Sequence, residues 1–376
     1  MAYWRFSAFY LFHFASLGVL VPYWSLYLKH EGFSAAQIGE LIALLAATKI
    51  VSPNIWGWIA DHTGHRMAVV RIGATLGVLS FILVYFAHSY WTLALVMVLF
   101  SFFWNAILPQ FEANTLSHLG SEYHRYSSIR LWGSIGFIVT VAGMGPMLDA
   151  HGASILPTVL LLMFVGIWLA SLLAPRQDGV LQHVTTKSLR EVLLQPSVLA
   201  LMAVCFLMQA GHGPYYTFYT LYMEGHGYSR SVIGQLWALG VIAEVVIFLF
   251  APRLLGRFGL RNLLLGSLLL ATLRWLLIGY YPDVLPIVLF AQLLHAATFG
   301  VYHAAGISLF HKYFTGRHQG RGQAIYSSIS FGAGGAIGSY YSGIVWEAWG
   351  AQSAFIVAAV LSAVAWLIGW RWLRTD

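Results

Sequence analysis

Five ionisable residues of both signs lie inside long apolar stretches of this chain of 376 residues: Lys49, Glu112, Arg130, Glu244 and Arg274. A lone charge in the apolar interior of a membrane costs several kcal/mol, so such residues are rarely kept for folding alone. Charges that are kept there normally face a bundle interior or a wet cavity, pair with one another, and mark the path of an ion or solute. This pattern favours a transporter.

The elements that position these charges are predicted to be transmembrane helices. Of all residues 59% are hydrophobic and only 9% are charged, and the mean hydropathy is +0.73, which exceeds what a soluble core needs. Continuous apolar runs of about 20 residues indicate helices rather than barrel strands, whose polarity would alternate. The predicted spans cover residues 3–28, 37–60, 67–88, 91–116, 126–148, 152–174, 196–223, 231–251, 262–281, 284–310, 321–345 and 351–372. The fold class is therefore an all-α membrane protein with twelve transmembrane helices.

The chain also repeats itself, which divides it into two related halves. Pairs at an offset of 195 include Gly18 and Gly213, Tyr27 and Tyr222, Gly64 and Gly259, and Arg66 and Arg261. At the same offset Lys49 falls on Glu244, and we expect these opposite charges to face one central cavity. The predicted organisation is an N-terminal six-helix bundle over 1–174, a linker over 175–195 and a C-terminal bundle over 196–376.

The formal charge of +7 does not indicate nucleic-acid binding, because the basic residues are spread over short loops between the spans. One side of the predicted spans carries most of them, and the other side has only Lys29 and Arg230. The positive-inside rule therefore predicts that both termini are cytoplasmic. Cys205 is the only cysteine, so no intramolecular disulfide can form.

The loop after the second span reads Gly57-Trp-Ile-Ala-Asp61-His-Thr-Gly64-His-Arg66 and resembles the G-x-x-x-D-R-x-G-R signature of the major facilitator superfamily. It departs from the signature at both histidines. The resemblance implies a conformational gate of Gly57, Asp61, Gly64 and Arg66. In that gate Asp61 latches the cytoplasmic ends of helices and Arg66 helps to orient them.

Most of the chain resembles the 3-phenylpropionate permease group, relatives of lactose permease and of nucleoside symporters. The passages that carry this resemblance are Pro22–Lys29, Ile129–Ser134, Leu236–Phe248, Arg274-Trp275 and Gln292–His295. The resemblance implies a multi-pass protein of the bacterial inner membrane that works by alternating access. We expect a monomer that needs no cofactor.

The same resemblance implies roles for particular residues. In lactose permease-like proteins an acidic residue on helix four and an arginine on helix five hold the substrate, and the matching residues here are Glu112 and Arg130. The residues that link substrate to proton match Glu244, Arg274 and His295. Such proteins place a proton-carrying glutamate one turn after that histidine, where this chain has Thr298. Threonine cannot carry the proton, so Glu244 is the best candidate.

Charge and aromatic content indicate the substrate class. Three positive residues against two negative ones leave one positive charge for a monoanion, which Lys49 and Arg130 would bind together with Glu112. Tyr215 and Tyr219, with Tyr23 of the equivalent first span, are expected to line a pocket for a phenyl ring. The segment Gly211–Pro214 before the two tyrosines is expected to interrupt the seventh helix.

Two further histidines, His212 and His303, are candidates for proton coupling beside His295, since imidazoles titrate near neutral pH. His295 and His303 are eight residues apart, about 80° around an α-helix, so we predict no shared metal. Motifs for ATP-driven transport and for intramembrane proteolysis are absent from the sequence. The chain is therefore predicted to be a proton symporter of a small aromatic monocarboxylate and not an enzyme. Nucleosides or sugars are the alternative substrates, and a polytopic receptor or enzyme is the alternative outside transport.

Overall fold

Every regular element in the computed structural model is helical, and the structure describes residues 2–176, 189–315 and 318–374. Within these ranges eleven helical stretches are long and apolar enough to cross a membrane. The predicted span over 321–345 does not meet that criterion, although it is helical from His318 to Trp349. It is rich in glycine, serine and tyrosine, which keep it less apolar than the other spans.

Helix boundaries agree closely with the predicted spans. The first part of the chain forms helices α1 (Ala2–His30), α2 (Ala35–Thr63), α3 (Arg66–Ile82), α4 (Tyr90–Leu119), α5 (Tyr126–His151) and α6 (Leu156–Leu173). The second part forms α7 (Leu189–Leu193), α8 (Pro196–Gly211), α9 (Gly213–Gly225), α10 (Arg230–Phe258), α11 (Leu260–Tyr280), α12 (Leu285–Leu293), α13 (Tyr302–Tyr313), α14 (His318–Ser327), α15 (Gly335–Trp349) and α16 (Ala351–Trp372). Most of the predicted linker, residues 177–188, lies outside the described residues.

The two halves repeat in backbone conformation as well as in sequence. Gly64 and Gly259 both have left-handed backbone, with φ of 71° and 76°, and each precedes the third helix of its half. Gly32 and Gly227, with φ of 88° and 84°, lie in the turns between the first and second spans of the two halves. A residue with a Cβ rarely adopts these angles. The repeated turns agree with the predicted fold class of two pseudo-symmetric six-helix halves, which is confirmed.

Three of the spans are interrupted. The seventh breaks at His212, between α8 and α9, and Pro214 lies in the first turn of α9, which confirms the predicted interruption. The tenth and eleventh spans contain π-helical turns, at Ala296–Val301 and Ser328–Gly334. Such turns widen a helix and are frequent at functional sites.

Contacts group the chain into two compact units. The first contains described residues 2–33, 47–176 and 229–238, and the second contains 34–46, 189–228 and 239–374 apart from 316 and 317. The start of α10 therefore packs within the first unit, and the start of α2 within the second. The predicted domain boundaries at 174 and 196 stay a prediction.

Glycines allow the starts of α2 and α10 to pack closely against neighbouring helices. In the second unit, a Cβ on Gly39 would lie 2.7 Å from the Ser339 carbonyl oxygen and 2.8 Å from the Gly343 Cα. In the first unit, a Cβ on Gly234 would lie 2.6 Å from the Val141 carbonyl oxygen. Each start thus lies against a neighbouring helix at backbone distance, as small residues allow in membranes.

A carboxylate accepts hydrogen bonds from each of the same two helix starts. In the first unit, Asp149 near the end of α5 accepts from the Arg230 and Ser231 amides at 3.0 and 2.9 Å and from the Ser231 hydroxyl. In the second unit, Glu347 near the end of α15 accepts from the Ala36 amide at 2.8 Å. Amides at a helix start have no partner within the helix, so these carboxylates supply the missing acceptors.

Candidate functional site

In the first unit, Glu112 of α4 and Arg130 of α5 form an ion pair. The Arg130 Nε lies 3.7 Å from Glu112 Oε1, and both side chains are 31% exposed. The Tyr126 hydroxyl donates to the same oxygen at 3.1 Å. The Arg130 guanidinium lies 3.7 Å from the centre of the Phe14 ring, which orients its plane. This single long contact with a carboxylate leaves most of the guanidinium's N–H groups for another acceptor.

Lys49 is the second cation of this unit. It makes no hydrogen bond or ion pair with the residues that the structure describes, and it is partly exposed. His13 of α1 is 3% exposed, and its ring stacks on Trp104. Its Nδ1 has no hydrogen-bond partner among the described residues. The first unit therefore has two mid-span basic residues, Lys49 and Arg130, and one mid-span carboxylate, Glu112, that contacts Arg130.

In the second unit, Arg274 of α11 is completely buried. Its Nε donates to the Ala291 carbonyl at 3.0 Å, its Nη1 to His295 Nδ1 and Thr298 Oγ1, both at 3.0 Å, and its Nη2 to Gln292 Oε1 at 3.3 Å. All four acceptors are neutral groups. The guanidinium is thus largely occupied by the protein, in contrast to that of Arg130.

The contact with Arg274 fixes the tautomer of His295. A guanidinium only donates, so His295 Nδ1 must accept and the ring proton lies on Nε2. That nitrogen lies 3.5 Å from Glu244 Oε2. The order is therefore Arg274, His295, Glu244, and the imidazole stands between the guanidinium and the carboxylate.

Thr298 occupies the position at which the family resemblance predicts a proton-carrying glutamate. It is fully buried, and its hydroxyl accepts the Arg274 hydrogen bond. A neutral oxygen thus replaces a carboxylate beside the buried guanidinium. Glu244 is then the carboxylate that contacts this network, through His295 Nε2. Its side chain is 17% exposed.

The three tyrosines predicted to line a phenyl pocket are buried. Tyr23 donates to the Val141 carbonyl at 2.7 Å in the first unit. In the second unit Tyr215 donates to Gln292 Oε1 at 2.9 Å, and its ring lies 4.3 Å from the Arg274 guanidinium. The Tyr219 ring packs against Tyr215 at 4.9 Å. Their role in substrate binding stays a prediction.

His212 and His303 lie in the same half as the Arg274 network. The His212 Nδ1 bonds to the Met208 carbonyl of its own helix at 2.8 Å, and its ring meets Trp275 edge-on. His303 Nδ1 lies 2.9 Å from the Tyr326 hydroxyl. The three residues His295, Phe299 and His303 form one stack, with interplanar angles of 14° and 5°.

The separation of about 80° between His295 and His303 was expected for a regular helix. The π-helical turn Ala296–Val301 lies between the two histidines, so the segment that joins them is not a regular α-helix. Within the described residues no group of three or more His, Cys, Asp or Glu side chains could hold a metal ion.

The predicted gate residues lie at the end of α2 and in the turn that follows. Arg66 Nη2 contacts Asp61 Oδ1 at 3.2 Å, and Asp61 is half exposed. Gly64 supplies the left-handed turn between them. A Cβ on Gly57 would lie 3.4 Å from Gln110 Nε2, which is an ordinary van der Waals distance, so the packing here would also accept a Cβ.

Helices of this number, with charges of both signs inside each half, are typical of a polytopic transporter of the major facilitator type. Residues 3–357 match the family model described as "MFS_1 like family", and the chain belongs to that family. It is a multi-pass membrane transporter and not an enzyme, so the alternative of a receptor or enzyme is excluded.

Individual relatives refine this picture. The chain is 30% identical to the "Probable 3-phenylpropionic acid transporter" of Escherichia coli (strain K12), over 93% of each chain. It is 26% identical to the "Maltose permease" of Geobacillus stearothermophilus, over 96% of this chain and 92% of that one. The crystal structure of the nucleoside transporter NupG superposes with a TM-score of 0.84 at 18% identity, covering 100% of both chains. This last likeness concerns the fold alone.

Several residues of these networks were not singled out from the sequence. His13 lies in an apolar span and would have been found by counting histidines together with the five charges. Tyr126 carries no charge to mark it, although its hydroxyl donates to Glu112. Gln292 carried no charge to mark it, although its Oε1 accepts from both Tyr215 and Arg274.

Proposed function

We propose that the chain is a proton-coupled symporter of a small aromatic monocarboxylate such as 3-phenylpropionate. The proposal rests on a difference between the two mid-span arginines in how many of their N–H groups donate to other groups of the protein. Arg274 donates to four neutral acceptors of the protein. Arg130 has one carboxylate contact at 3.7 Å and an aromatic ring against its face. Arg130 is therefore the guanidinium available for a substrate carboxylate.

The charges support a monoanion. The first unit has two mid-span basic residues, Lys49 and Arg130, and one mid-span carboxylate, Glu112. The second unit has one of each, Arg274 and Glu244. Among these five mid-span residues, one positive charge has no negative counterpart, and a monoanionic substrate would balance it. A carboxylate suits the Arg130 fork because it accepts two parallel hydrogen bonds, and the Phe14 ring offers an apolar neighbour for a phenyl group.

Proton coupling is assigned to Glu244. Protonation of this carboxyl would remove the negative charge that faces His295 Nε2, while His295 stays neutral because Arg274 occupies its other nitrogen. The charge balance of the second unit would then change with each proton that is loaded or released. A change of that kind can bias a two-state cycle of alternating access.

Competition in counterflow exchange tests the substrate class. In proteoliposomes, unlabelled 3-phenylpropionate and its neutral amide are compared as inhibitors of labelled 3-phenylpropionate exchange. We expect Arg130→Gln to weaken the carboxylate by at least roughly tenfold, because a charge-assisted bond contributes about 1.5–3 kcal/mol, and to spare the amide.

The matched control is Arg125→Gln, a solvent-exposed arginine at the start of the same helix that pairs with Glu122. It should leave both inhibitors unchanged. Equal weakening of acid and amide by Arg130→Gln would argue against a charge-matched site.

A sugar or nucleoside is the second candidate substrate. Glu112 and the Tyr126 hydroxyl form a polar pair that could bind hydroxyl groups, and one of the relatives is named a maltose permease. Inhibition by neutral sugars or nucleosides, without inhibition by the carboxylate, would favour this alternative.

We further propose a monomer in the bacterial inner membrane with both termini cytoplasmic. The loop asymmetry of basic residues supports this orientation. The Asp61 and Arg66 ion pair would act at the cytoplasmic end of α2 as part of the gate. Cytoplasmic reporters fused at each terminus would test the orientation, and an active external reporter at either end would contradict it.

A further inference from the structure

A basic cavity lies in the second unit, where α11 begins and α16 ends. Its volume is about 490 Å³. Three arginines line it, Arg261, Arg371 and Arg374, together with the aromatic residues Phe258 and Trp370. Among the described residues that line it, none is acidic. The cavity therefore concentrates positive charge beside exposed apolar surface.

The three arginines are held differently. Arg261 donates from Nε to the Leu373 carbonyl at 2.6 Å and from Nη2 to the Trp370 carbonyl at 2.7 Å, so its charge is fixed in the wall. The guanidinium groups of Arg371 and Arg374 make no hydrogen bond or ion pair with the part of the chain that the structure describes. Both side chains are exposed, and their donors are available to an acidic ligand.

The internal repeat supplies a comparison. Arg261 corresponds to Arg66 at the offset of 195, and Arg66 is neutralised by Asp61 at 3.2 Å. The residue that corresponds to Asp61 is Gly256. The first half thus provides a carboxylate for this arginine, and the second half provides none at the matching position.

The surroundings indicate the chemical class of the ligand. Phe258 and Trp370 are 48% and 56% exposed at the ends of long apolar helices. Aromatic side chains at such positions lie at the level of the lipid headgroups. Phosphate is the anion that arginine clusters bind well, and basic pockets between transmembrane helices bind anionic headgroups.

We propose that this cavity binds the phosphate of an anionic phospholipid headgroup, with Arg371 and Arg374 as its direct donors and Trp370 against the glycerol and upper acyl region. This site is separate from the charges assigned to transport. The proposal does not depend on which solute is carried.

Lipid binding is measured by native mass spectrometry of the detergent-solubilised full chain, titrated with phosphatidylglycerol or with phosphatidylcholine of the same acyl chains. The parent should bind phosphatidylglycerol more tightly, and the double variant Arg371→Gln, Arg374→Gln should lose about tenfold in affinity for it. Arg253→Gln is the matched control, since it removes an exposed positive charge of α10 outside the cavity lining, and it should change nothing.

Three results would overturn the proposal: equal binding of both lipids by the parent, unchanged phosphatidylglycerol binding by the double variant, or an equal loss in Arg253→Gln. Competition by millimolar inorganic phosphate would assign the site to a soluble phosphate and would also overturn it. If the double variant fails to fold, cross-linking of the parent to a photoactivatable phosphatidylglycerol decides the question. Labelled peptides from 257–262 and 370–374 are expected, and labelling confined to other segments would refute the site.

Discussion

Replacing Arg274 by lysine tests whether the planar set of N–H donors of the buried guanidinium, and not only its positive charge, stabilises the second unit. The guanidinium donates to four separate acceptors on Ala291, Gln292, His295 and Thr298. A lysine ammonium keeps the positive charge but has three N–H groups that leave from one atom. At least one of the four buried acceptors must then lose its partner.

The expected loss of stability follows from these contacts. An unsatisfied buried acceptor costs about 1–3 kcal/mol. The planar stacking over Tyr215, at 4.3 Å, is also weakened, and such a contact contributes about 0.5–2 kcal/mol. We therefore expect Arg274→Lys to lower the free energy of unfolding by about 1.5–5 kcal/mol when the two terms are combined.

Equilibrium unfolding in one mixed-detergent system, followed by circular dichroism, measures this difference. Arg125→Lys is the control, because that arginine is exposed and pairs at the surface, and its stability should match the parent's. Proton-driven uptake should fall as well in Arg274→Lys, because the Nη1 donor that holds His295 Nδ1 is removed. A lysine variant with parental stability and parental proton-driven uptake would refute the reasoning.

Three further changes probe other parts of the structure. Glu244→Gln should abolish gradient-driven accumulation but spare exchange, and accumulation at the parental level would remove Glu244 from proton transfer. Asp149→Ala deprives the start of α10 of its acceptor, so the free energy of unfolding in detergent should fall by about 0.5–2 kcal/mol; an unchanged unfolding midpoint would show that water replaces the carboxylate. Gly39→Val should slow uptake severely, because its side chain would meet the Ser339 carbonyl and Gly343 backbone, whereas Gly225→Val, at an open position, should transport normally.

The spans and the repeat could be predicted because they depend on properties that are local in sequence. Continuous apolar runs reveal helices whatever their neighbours, and the offset of 195 aligned Gly64 with Gly259 before their shared left-handed backbone was seen. The break at His212 was also predictable, since the glycines and Pro214 that surround it weaken a helix. The span over 321–345 was predicted correctly as helix, although it is less apolar than the criterion requires.

The arrangement of the candidate sites depends on tertiary contacts and could be predicted only in part. Resemblance to a family brought Glu244, Arg274 and His295 together, but the position of the imidazole between the other two required the structure. The π-helical turn Ala296–Val301 leaves no periodic signal in the sequence, because a single inserted residue shifts the helix without changing its composition. Thr298 was noticed as a missing carboxylate, and its hydrogen bond to Arg274 shows what the position does instead.

The central claim is proton-coupled transport of an aromatic carboxylate, and initial uptake of labelled 3-phenylpropionate into proteoliposomes tests it most directly. Uptake is measured with an inward proton gradient and again after an ionophore has collapsed it. Protein-free vesicles run in parallel, because the neutral acid itself crosses lipid. Our account predicts protein-dependent uptake that requires the gradient; uptake equal to that of protein-free vesicles, or protein-dependent uptake that ignores the ionophore, would contradict it.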